Sequence, residues 1–172
     1  DLDYPIRLDF FGDELEEIFK FDENSDKPLY VVDTPPPYVS ADHLHAGHIM
    51  SYTQAEFIVR YKRMQGFKTL WVPGTDHAAI ATQNVVEKKL LESNKKREEI
   101  GRANFIDECW KWTNKCHDNI VGQIKKMGAS CDWSRERFTL DEGLTTAVYT
   151  IFKNLYDDGL IYKGPRIINW CS

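Results

Sequence analysis

Apolar and polar residues alternate along this chain in blocks that predict strands and helices in turn. Residues 29–34 form an extended, largely apolar run stopped by three prolines, and residues 67–72 form a second run stopped by a Pro-Gly pair. Between them lies a segment, 45–66, with apolar residues at helical spacing and a glycine stop. This order predicts a crossover unit with two parallel strands, the first apolar enough for the centre of a sheet. The apolar positions of the predicted helix are Ile49, Tyr52, Phe57, Ile58, Tyr61 and Met64.

The same alternation continues to the end of the chain and predicts an α/β fold with a mostly parallel sheet and flanking helices. Residues 1–28 have no decisive pattern and are interpreted as an N-terminal extension of uncertain structure. Aromatic residues on a long central helix are predicted to be core. The later elements expected are a helix to about Leu91, a long helix over 98–127, a turn and short strand over 131–140, a helix capped by Asp141, and strands over 160–163 and 166–170.

Composition is that of a globular protein with a real core. The chain has 172 residues, of which 42% are hydrophobic and 13% aromatic. It has neither an apolar run of membrane-spanning length nor a secretory leader, so a cytoplasmic location is expected. Its 22 basic and 27 acidic side chains do not indicate a polyanion-binding surface. A basic cluster at 88–97 is interrupted by glutamates, which favours a solvated helix end over a nucleic-acid patch.

The four cysteines form no Cys-x-x-Cys pair and are interpreted as reduced thiols. Cys109, Cys116 and His117 have a spacing that a zinc site can use, but the long helix around them favours ordinary positions on a helix face. Cys171 would open a zinc knuckle only if a second cysteine followed it. No metal site is predicted.

Unusual residues follow the first predicted strand, at the sheet edge where open parallel sheets bind ligands. His45 and His48 fall in the first turn of the predicted helix, beside unsatisfied backbone N–H groups and the positive end of the helix dipole. Gly47 between them would let a ligand approach the backbone closely. Imidazole N–H donors suit charge that grows on a phosphoryl group, although a chance pair of surface histidines has the same pattern.

The loop after the second predicted strand offers a carboxylate at the same edge. Asp76 can accept hydrogen bonds from a substrate ammonium group, or it can simply cap the following helix, and the residues alone favour neither. The prolines at 35–37 can form a rigid linker or an apolar wall against a small aliphatic substrate.

Several segments carry a family resemblance. They are Pro35-Pro36-Pro37, His45-Ala46-Gly47-His48, Arg-Tyr-Lys-Arg-Met-Gln-Gly-Phe at 60–67, Trp-Val-Pro-Gly-Thr-Asp-His-Ala-Ala-Ile-Ala-Thr-Gln at 71–83 and Gly-Ala-Ser-Cys-Asp-Trp-Ser-Arg-Glu-Arg-Phe-Thr at 128–139. Together they resemble the valyl-tRNA synthetases, a family of class I aminoacyl-tRNA synthetases, from about residue 29 onward. The Gly-Thr-Asp-His-Ala block favours the valine enzymes over their isoleucine and leucine relatives.

The resemblance implies a Rossmann-type catalytic domain. Residues 29–172 would be its N-terminal half, ending where the family inserts an editing domain. The family's second ATP motif, Lys-Met-Ser-Lys-Ser, does not occur in this sequence. The implied ligands are ATP with its Mg²⁺, valine and, in the full-length parent, tRNA(Val). The implied site residues are His45, Gly47 and His48 for ATP, with His45 and His48 catalytic, and Pro36, Pro37 and Asp76 for the amino acid.

Two functions are therefore open. The first is a ligase fragment that binds ATP and valine and activates valine to valyl-adenylate, as part of valine–tRNA ligation. The second is a non-catalytic truncated or engineered fragment that binds nucleotide weakly. The family is monomeric, but half of a Rossmann sheet would leave an edge uncovered and could self-associate. A tRNA-binding module is disfavoured by the net charge of -5.

Overall fold

The computed structural model describes residues 17–169. The chain forms two compact units, which meet in sequence between Phe138 and Thr139. No helix within the described range is both long and apolar enough to cross a membrane. Residues 1–16 of the predicted N-terminal extension over 1–28, and the zinc knuckle considered at Cys171, lie outside the described residues.

A parallel strand pair organises the first unit. Strand β1 (Leu29–Val32) pairs with β2 (Lys68–Trp71), in a register that places Leu29 opposite Lys68 and Val32 opposite Trp71. Helix α1 (Ala46–Met64) connects them and ends before Gly66, whose φ of 87° is the left-handed conformation typical of a helix stop. The predicted strand, helix and parallel strand are therefore confirmed. The expected central position of β1 is not observed, because among the described residues β1 pairs with β2 alone and Leu29 and Val31 are exposed.

A second parallel pair joins distant parts of the chain. Strand β3 (Gly74–Thr75) pairs with β4 (Arg137–Phe138), the short strand predicted within 131–140. A Cβ atom at Gly74 would lie 2.7 Å from the carbonyl oxygen of Arg137, so this close approach requires glycine. Strand β3 was not predicted, because two residues leave no periodic signal.

Two helices lie between these strands in the sequence. Helix α2 (Ala79–Glu92) and helix α3 (Arg97–Lys126) confirm the predicted helices, and a short 3₁₀ helix (Trp133–Arg135) follows α3. Helix α3 is interrupted near its start by Gly101, which has a φ of 76° and a ψ of 163°. The predicted long helix is therefore regular only beyond this kink.

The second unit contains helix α4 (Glu142–Asp157), capped as predicted by Asp141, whose side chain accepts the Leu144 N–H at 2.8 Å. The predicted strands over 160–163 and 166–170 are wrong for the described residues 160–169, none of which is in a strand. A strand needs a neighbouring backbone to satisfy its N–H and C=O groups. The described residues of this unit, 139–169, contain no strand that could pair with this segment.

The core of the first unit lies between the β1–β2 sheet, α1 and α3. Helix α1 contributes Tyr52, Ala55 and Val59, spaced three and four residues apart. Of the predicted apolar set only Tyr52 is buried, and the exposed members are Ile49, Phe57, Ile58, Tyr61 and Met64. Two strands span only about 5 Å and a helix about 10 Å, so a two-stranded sheet covers a narrow stripe of α1. The buried cluster consists of Val39, Leu44, Tyr52, Ala55, Val59, Trp71, Cys116, Ile120, Ile124, Ala129 and Cys131.

The aromatic residues of α3 are less buried than predicted. Phe105 lies in the interior, but Trp110 is exposed and Trp112 is half-buried. The ammonium group of Lys89 lies 3.8 Å from the centre of the Trp112 ring. Lysine side chains therefore cover part of the Trp112 ring, which also packs against the hydrophobic core.

A buried polar network anchors the loop after α3 to helix α1. Glu56 Oε2 accepts hydrogen bonds from the Ser130 backbone N–H at 2.7 Å and from the Ser130 hydroxyl at 2.9 Å. Arg63 donates to the Ser130 hydroxyl and, at 2.8 Å, to the Ser130 carbonyl oxygen. Because Ser130 is fully buried, these bonds satisfy polar groups that water cannot reach. The network fixes the end of α3 against α1.

The neighbouring carboxylate, Asp132, holds two further segments together. Its Oδ2 accepts the Phe21 backbone N–H at 2.9 Å, and its Oδ1 accepts the Ser134 backbone N–H at 3.1 Å and hydroxyl at 2.6 Å. Arg135 Nε lies 3.2 Å from Oδ2. Burial acts to raise the pKa of Asp132, but the hydrogen bonds and the Arg135 charge outweigh burial, so the pKa lies below its usual value. The carboxylate thus ties the chain around Phe21 to this unit.

Replacing Asp132 with Ala should lower the free energy of unfolding by roughly 3 kcal/mol at neutral pH, because donors from Phe21 and Ser134 lose a buried acceptor. Asp118→Ala is the matched control, since that side chain is 81% exposed and its loss should change stability by less than about 0.5 kcal/mol. Urea unfolding measures both. Equal effects of the two substitutions would contradict the anchoring role.

The contribution of Asp132 should also depend on pH in a defined direction. Its pKa in the folded protein is below the value of about 3.9 expected in the unfolded chain, so its stabilisation is complete above that value and is lost as the pH falls below it. The stability difference between the wild type and Asp132→Asn should therefore shrink from neutral pH to about pH 3. A difference that grows on acidification would contradict the pKa direction.

Candidate functional site

His45 begins helix α1 as its N-cap. Its backbone is extended, with a φ of -91° and a ψ of 167°, and its Nδ1 accepts the backbone N–H groups of Gly47 at 3.0 Å and His48 at 3.3 Å. An imidazole nitrogen that accepts cannot carry a proton, so the proton of the neutral ring lies on Nε2. The cap therefore fixes the tautomer of His45 and leaves Nε2–H as its donor.

Gly47 leaves room for the His45 ring of this cap, a role that the sequence did not reveal. A Cβ atom at position 47 would lie 2.9 Å from His45 Cε1 and 3.1 Å from His45 Nδ1. Any larger residue would push the imidazole away from the end of the helix. The glycine thus allows the ring to close onto the backbone, in addition to any role in ligand approach.

His48 stacks on His45, with the ring centres 3.7 Å apart and the planes at 21°. Burial lowers the pKa of His48, and the neighbouring His45 lowers it further. His48 Nδ1 is buried and has no hydrogen-bond partner among the described residues. At neutral pH His48 is therefore an uncharged imidazole at the start of a helix, as the sequence placed it.

The proline loop and the loop after β2 are joined by backbone hydrogen bonds. The Asp76 N–H donates to the Pro37 carbonyl at 2.8 Å, and the Val39 N–H donates to the Asp76 carbonyl at 3.0 Å, which makes an isolated parallel bridge between Tyr38 and Asp76. Pro37 is buried and Pro36 is half-buried. The predicted apolar wall and the predicted carboxylate are therefore adjacent.

The Asp76 side chain supports the turn that follows it. Its Oδ1 accepts the Ala78 backbone N–H at 2.7 Å and lies 3.7 Å from His77 Nδ1. The N-cap of α2 is Ala78, not Asp76. Ala78 and Ala79 have φ values of 53° and 36°, a left-handed conformation that costs a residue with a Cβ atom about 1 kcal/mol or more. Asp76 thus holds a strained turn at the sheet edge, where strain often accompanies function.

Two threonines that no sequence pattern indicated, Thr34 and Thr82, also hold the two loops. The Trp71 indole N–H donates to Thr34 Oγ1 at 3.1 Å, which ties the ends of β1 and β2 together. The Thr82 hydroxyl donates to the His77 carbonyl at 2.8 Å, which ties α2 to the Asp76 loop. Both threonines are buried. A threonine hydroxyl at a buried position needs a hydrogen-bond partner, and this is the sequence signal that could have indicated these two bonds.

The zinc alternative finds no support in the geometry. Burial raises the pKa of the Cys116 thiol to about 11, which disfavours the thiolate that zinc requires. His117 Nε2 lies 2.7 Å from Glu136 Oε1. Within residues 17–169, no three or more His, Cys, Asp or Glu side chains are grouped to hold a metal ion.

Comparison with known proteins gives a consistent result. The family model "tRNA synthetases class I (I, L, M and V)" matches residues 11–172. A valine–tRNA ligase of Geobacter sulfurreducens is 51% identical over 158 residues, covering 92% of this chain and 18% of the relative. One of Streptomyces coelicolor is 53% identical over 153 residues, covering 89% of this chain and 17% of the relative.

The fold has a solved counterpart as well. A crystal structure of a ternary complex of Agrobacterium radiobacter K84 agnB2 LeuRS with tRNA and LeuAMS matches with a TM-score of 0.74 at 24% identity, covering 94% of this chain and 19% of that one. The present chain spans about 18% of the length of the curated relatives it matches. With the family model matching residues 11–172, this chain belongs to the class I tRNA synthetases.

Proposed function

We propose that this chain forms the part of a valine–tRNA ligase that binds ATP and valine and joins them as valyl-adenylate. The observation that carries the proposal is the pairing of an imidazole-capped helix start with Asp76 at one edge of a parallel sheet. The names of relatives at 50–53% identity support valine as the amino acid. In the whole protein, the adenylate would be consumed by transfer of valine to tRNA(Val), in the cytoplasm and by a monomer.

The reaction needs two substrates held in line. A carboxylate oxygen of valine attacks the α-phosphorus of ATP, a new P–O bond forms, the bond from the α-phosphorus to the bridging oxygen breaks, and pyrophosphate leaves. Asp76 would hold the valine ammonium group by a charge-assisted hydrogen bond, and Pro36 and Pro37 would pack on the side chain. Because the proline loop is bonded to Asp76, one rigid assembly would fix both ends of the amino acid.

The histidines would act on the phosphates as neutral donors. The cap places the proton of His45 on Nε2, and burial keeps His48 uncharged at neutral pH. Neutral N–H groups at a helix start bind the ground-state triphosphate less tightly than fixed ammonium groups would. The hydrogen bonds that they donate still strengthen as charge grows on the transferring phosphoryl group. This favours lowering of the barrier over tight binding of ATP.

Mg²⁺ would bind together with ATP, coordinated by the phosphates. The described residues offer no group of three ligands for a divalent cation, so the phosphate oxygens would supply most of the coordination. When bound, the cation neutralises charge on the leaving pyrophosphate.

Valine-dependent exchange of pyrophosphate into ATP tests the proposal. A His45→Ala and His48→Ala double variant should lose at least about 100-fold of the exchange rate, because both neutral donors to the phosphates are removed. Asp76→Asn should raise the KM for valine more than the KM for ATP, because it removes the charge that faces the ammonium group. His43→Ala is the matched control, since His43 is an exposed histidine paired with Asp42. Exchange that survives in the double variant at the wild-type rate would refute the proposal.

Titration of His48 by NMR gives a second prediction. Its pKa should lie below the usual value of about 6.5, and in His45→Asn, which keeps a side-chain acceptor for the cap, it should rise only part of the way, because burial is the larger cause. A depressed histidine pKa means that stability is complete above about pH 6.5 and declines as the pH falls below it. A midpoint at or above 6.5 would contradict the neutral-donor role.

A second candidate function is weak nucleotide binding without turnover. Leu29 and Val31 on β1 are exposed and leave apolar surface on a two-stranded sheet uncovered. Surface of this kind favours self-association, and it is the observation behind this candidate. Such a chain should self-associate in sedimentation experiments and bind ATP without valine-dependent exchange. A monomer with exchange activity would exclude this candidate.

A further inference from the structure

The loop that leads from the prolines to His45 is held at both ends by the core of the first unit. Val39 is fully buried and Leu44 is 8% exposed, and both belong to the cluster that contains Ile120 and Ile124 of α3. Between these two anchors lie three polar residues and Ala41, and Ala41 and His43 are exposed. The position of His45 therefore depends on how Leu44 sits against α3.

A single side chain of α3 bonds the backbone immediately before the N-cap. Gln123 Oε1 accepts the Leu44 backbone N–H at 2.8 Å, across 79 residues of sequence. Gln123 follows Ile120 by three residues and Cys116 by seven, so it lies on the face of α3 that packs into the core. A half-buried amide at such a place is costly unless it is bonded, and Leu44 N–H is the partner.

We propose that Gln123 is a positioning residue for the histidine pair: by fixing Leu44, it sets where the rings of His45 and His48 stand. Its effect on catalysis rests on the proposed function, whereas its effect on ring geometry does not. The His45 cap depends on contacts of 3.0 Å and 3.3 Å from Nδ1 to two backbone N–H groups. A shift of the N-cap backbone by a fraction of an ångström would change both contacts, and misplacement of about 1 Å can cost about 100-fold in rate.

Two substitutions separate the acceptor from the shape of the side chain. Gln123→Met keeps the length of the side chain and removes the acceptor, while Gln123→Glu keeps an oxygen that can accept the Leu44 N–H. Gln54→Met serves as the matched control, because Gln54 is an exposed glutamine of α1. A thermal unfolding curve identifies any variant that fails to fold.

Hydrogen exchange and histidine NMR on the present chain give a readout that does not need ATP. In Gln123→Met, the Leu44 amide should exchange about tenfold faster, the equivalent of one lost hydrogen bond, and the His45 and His48 ring signals should shift. Gln123→Glu and Gln54→Met should retain the wild-type protection and shifts. Unchanged ring signals in Gln123→Met, or equal changes in the Met and Glu variants of Gln123, would overturn the inference.

Pyrophosphate exchange then gives the catalytic readout. Gln123→Met should lower kcat with little change in the KM for valine, and Gln123→Glu should restore it. If the wild-type chain shows no exchange, the proposed function fails, while the NMR comparison still decides whether Gln123 positions the histidines. If exchange is normal in Gln123→Met while the ring signals shift, the positioning claim is overturned for catalysis.

Discussion

The parallel pairing of β1 with β2 is the constraint on which the first unit depends. It brings the carboxyl ends of both strands to one edge, so the loops that leave them must run side by side. The Trp71 indole bonded to Thr34, and the Asp76 backbone bonded to Pro37 and Val39, extend that contact beyond the strands. Because these bonds are made by backbone and buried groups, they hold the prolines and the carboxylate in one fixed relation.

Helix α3 has a role that its distance in sequence conceals. Its apolar face closes the core under the loop before His45, and Gln123 bonds the backbone there. The loop that follows α3 is in turn fixed to α1 through Ser130, which bonds Glu56 and, near the end of the helix, Arg63. Helix α1, which carries both histidines, is therefore held near each of its ends by contacts from α3 or from its adjoining loop. A rigid support of this kind is what a site needs when its donors must stand within a fraction of an ångström.

Sequence patterns predicted the positions of the helices and strands better than they predicted which residues are buried. The periodic apolar residues correctly gave α1 but not its buried stripe, because Phe57 and Met64 satisfy the same spacing as Tyr52 and only the width of the neighbouring sheet decides between them. The apolar residues after Gly159 suggested strands, but an extended segment becomes a strand only when a partner backbone is beside it. Asp76 was predicted as a site residue, yet its bond to Ala78 and the strained turn there left no periodic signal.

By itself, the sequence determined the α/β order of elements, the histidines at a helix start, the carboxylate at a strand end and the family to which the chain belongs. These are local or motif properties, set by residues close together in the chain. The tertiary structure alone decided the tautomer of His45, the depressed pKa of His48, the bridge between the proline loop and Asp76, and the bond from Gln123 to Leu44. The pKa, the bridge and the Gln123 bond depend on atoms brought together by packing across many residues, and the His45 tautomer depends on the backbone geometry of the helix start. Spacing along a chain does not encode such distances.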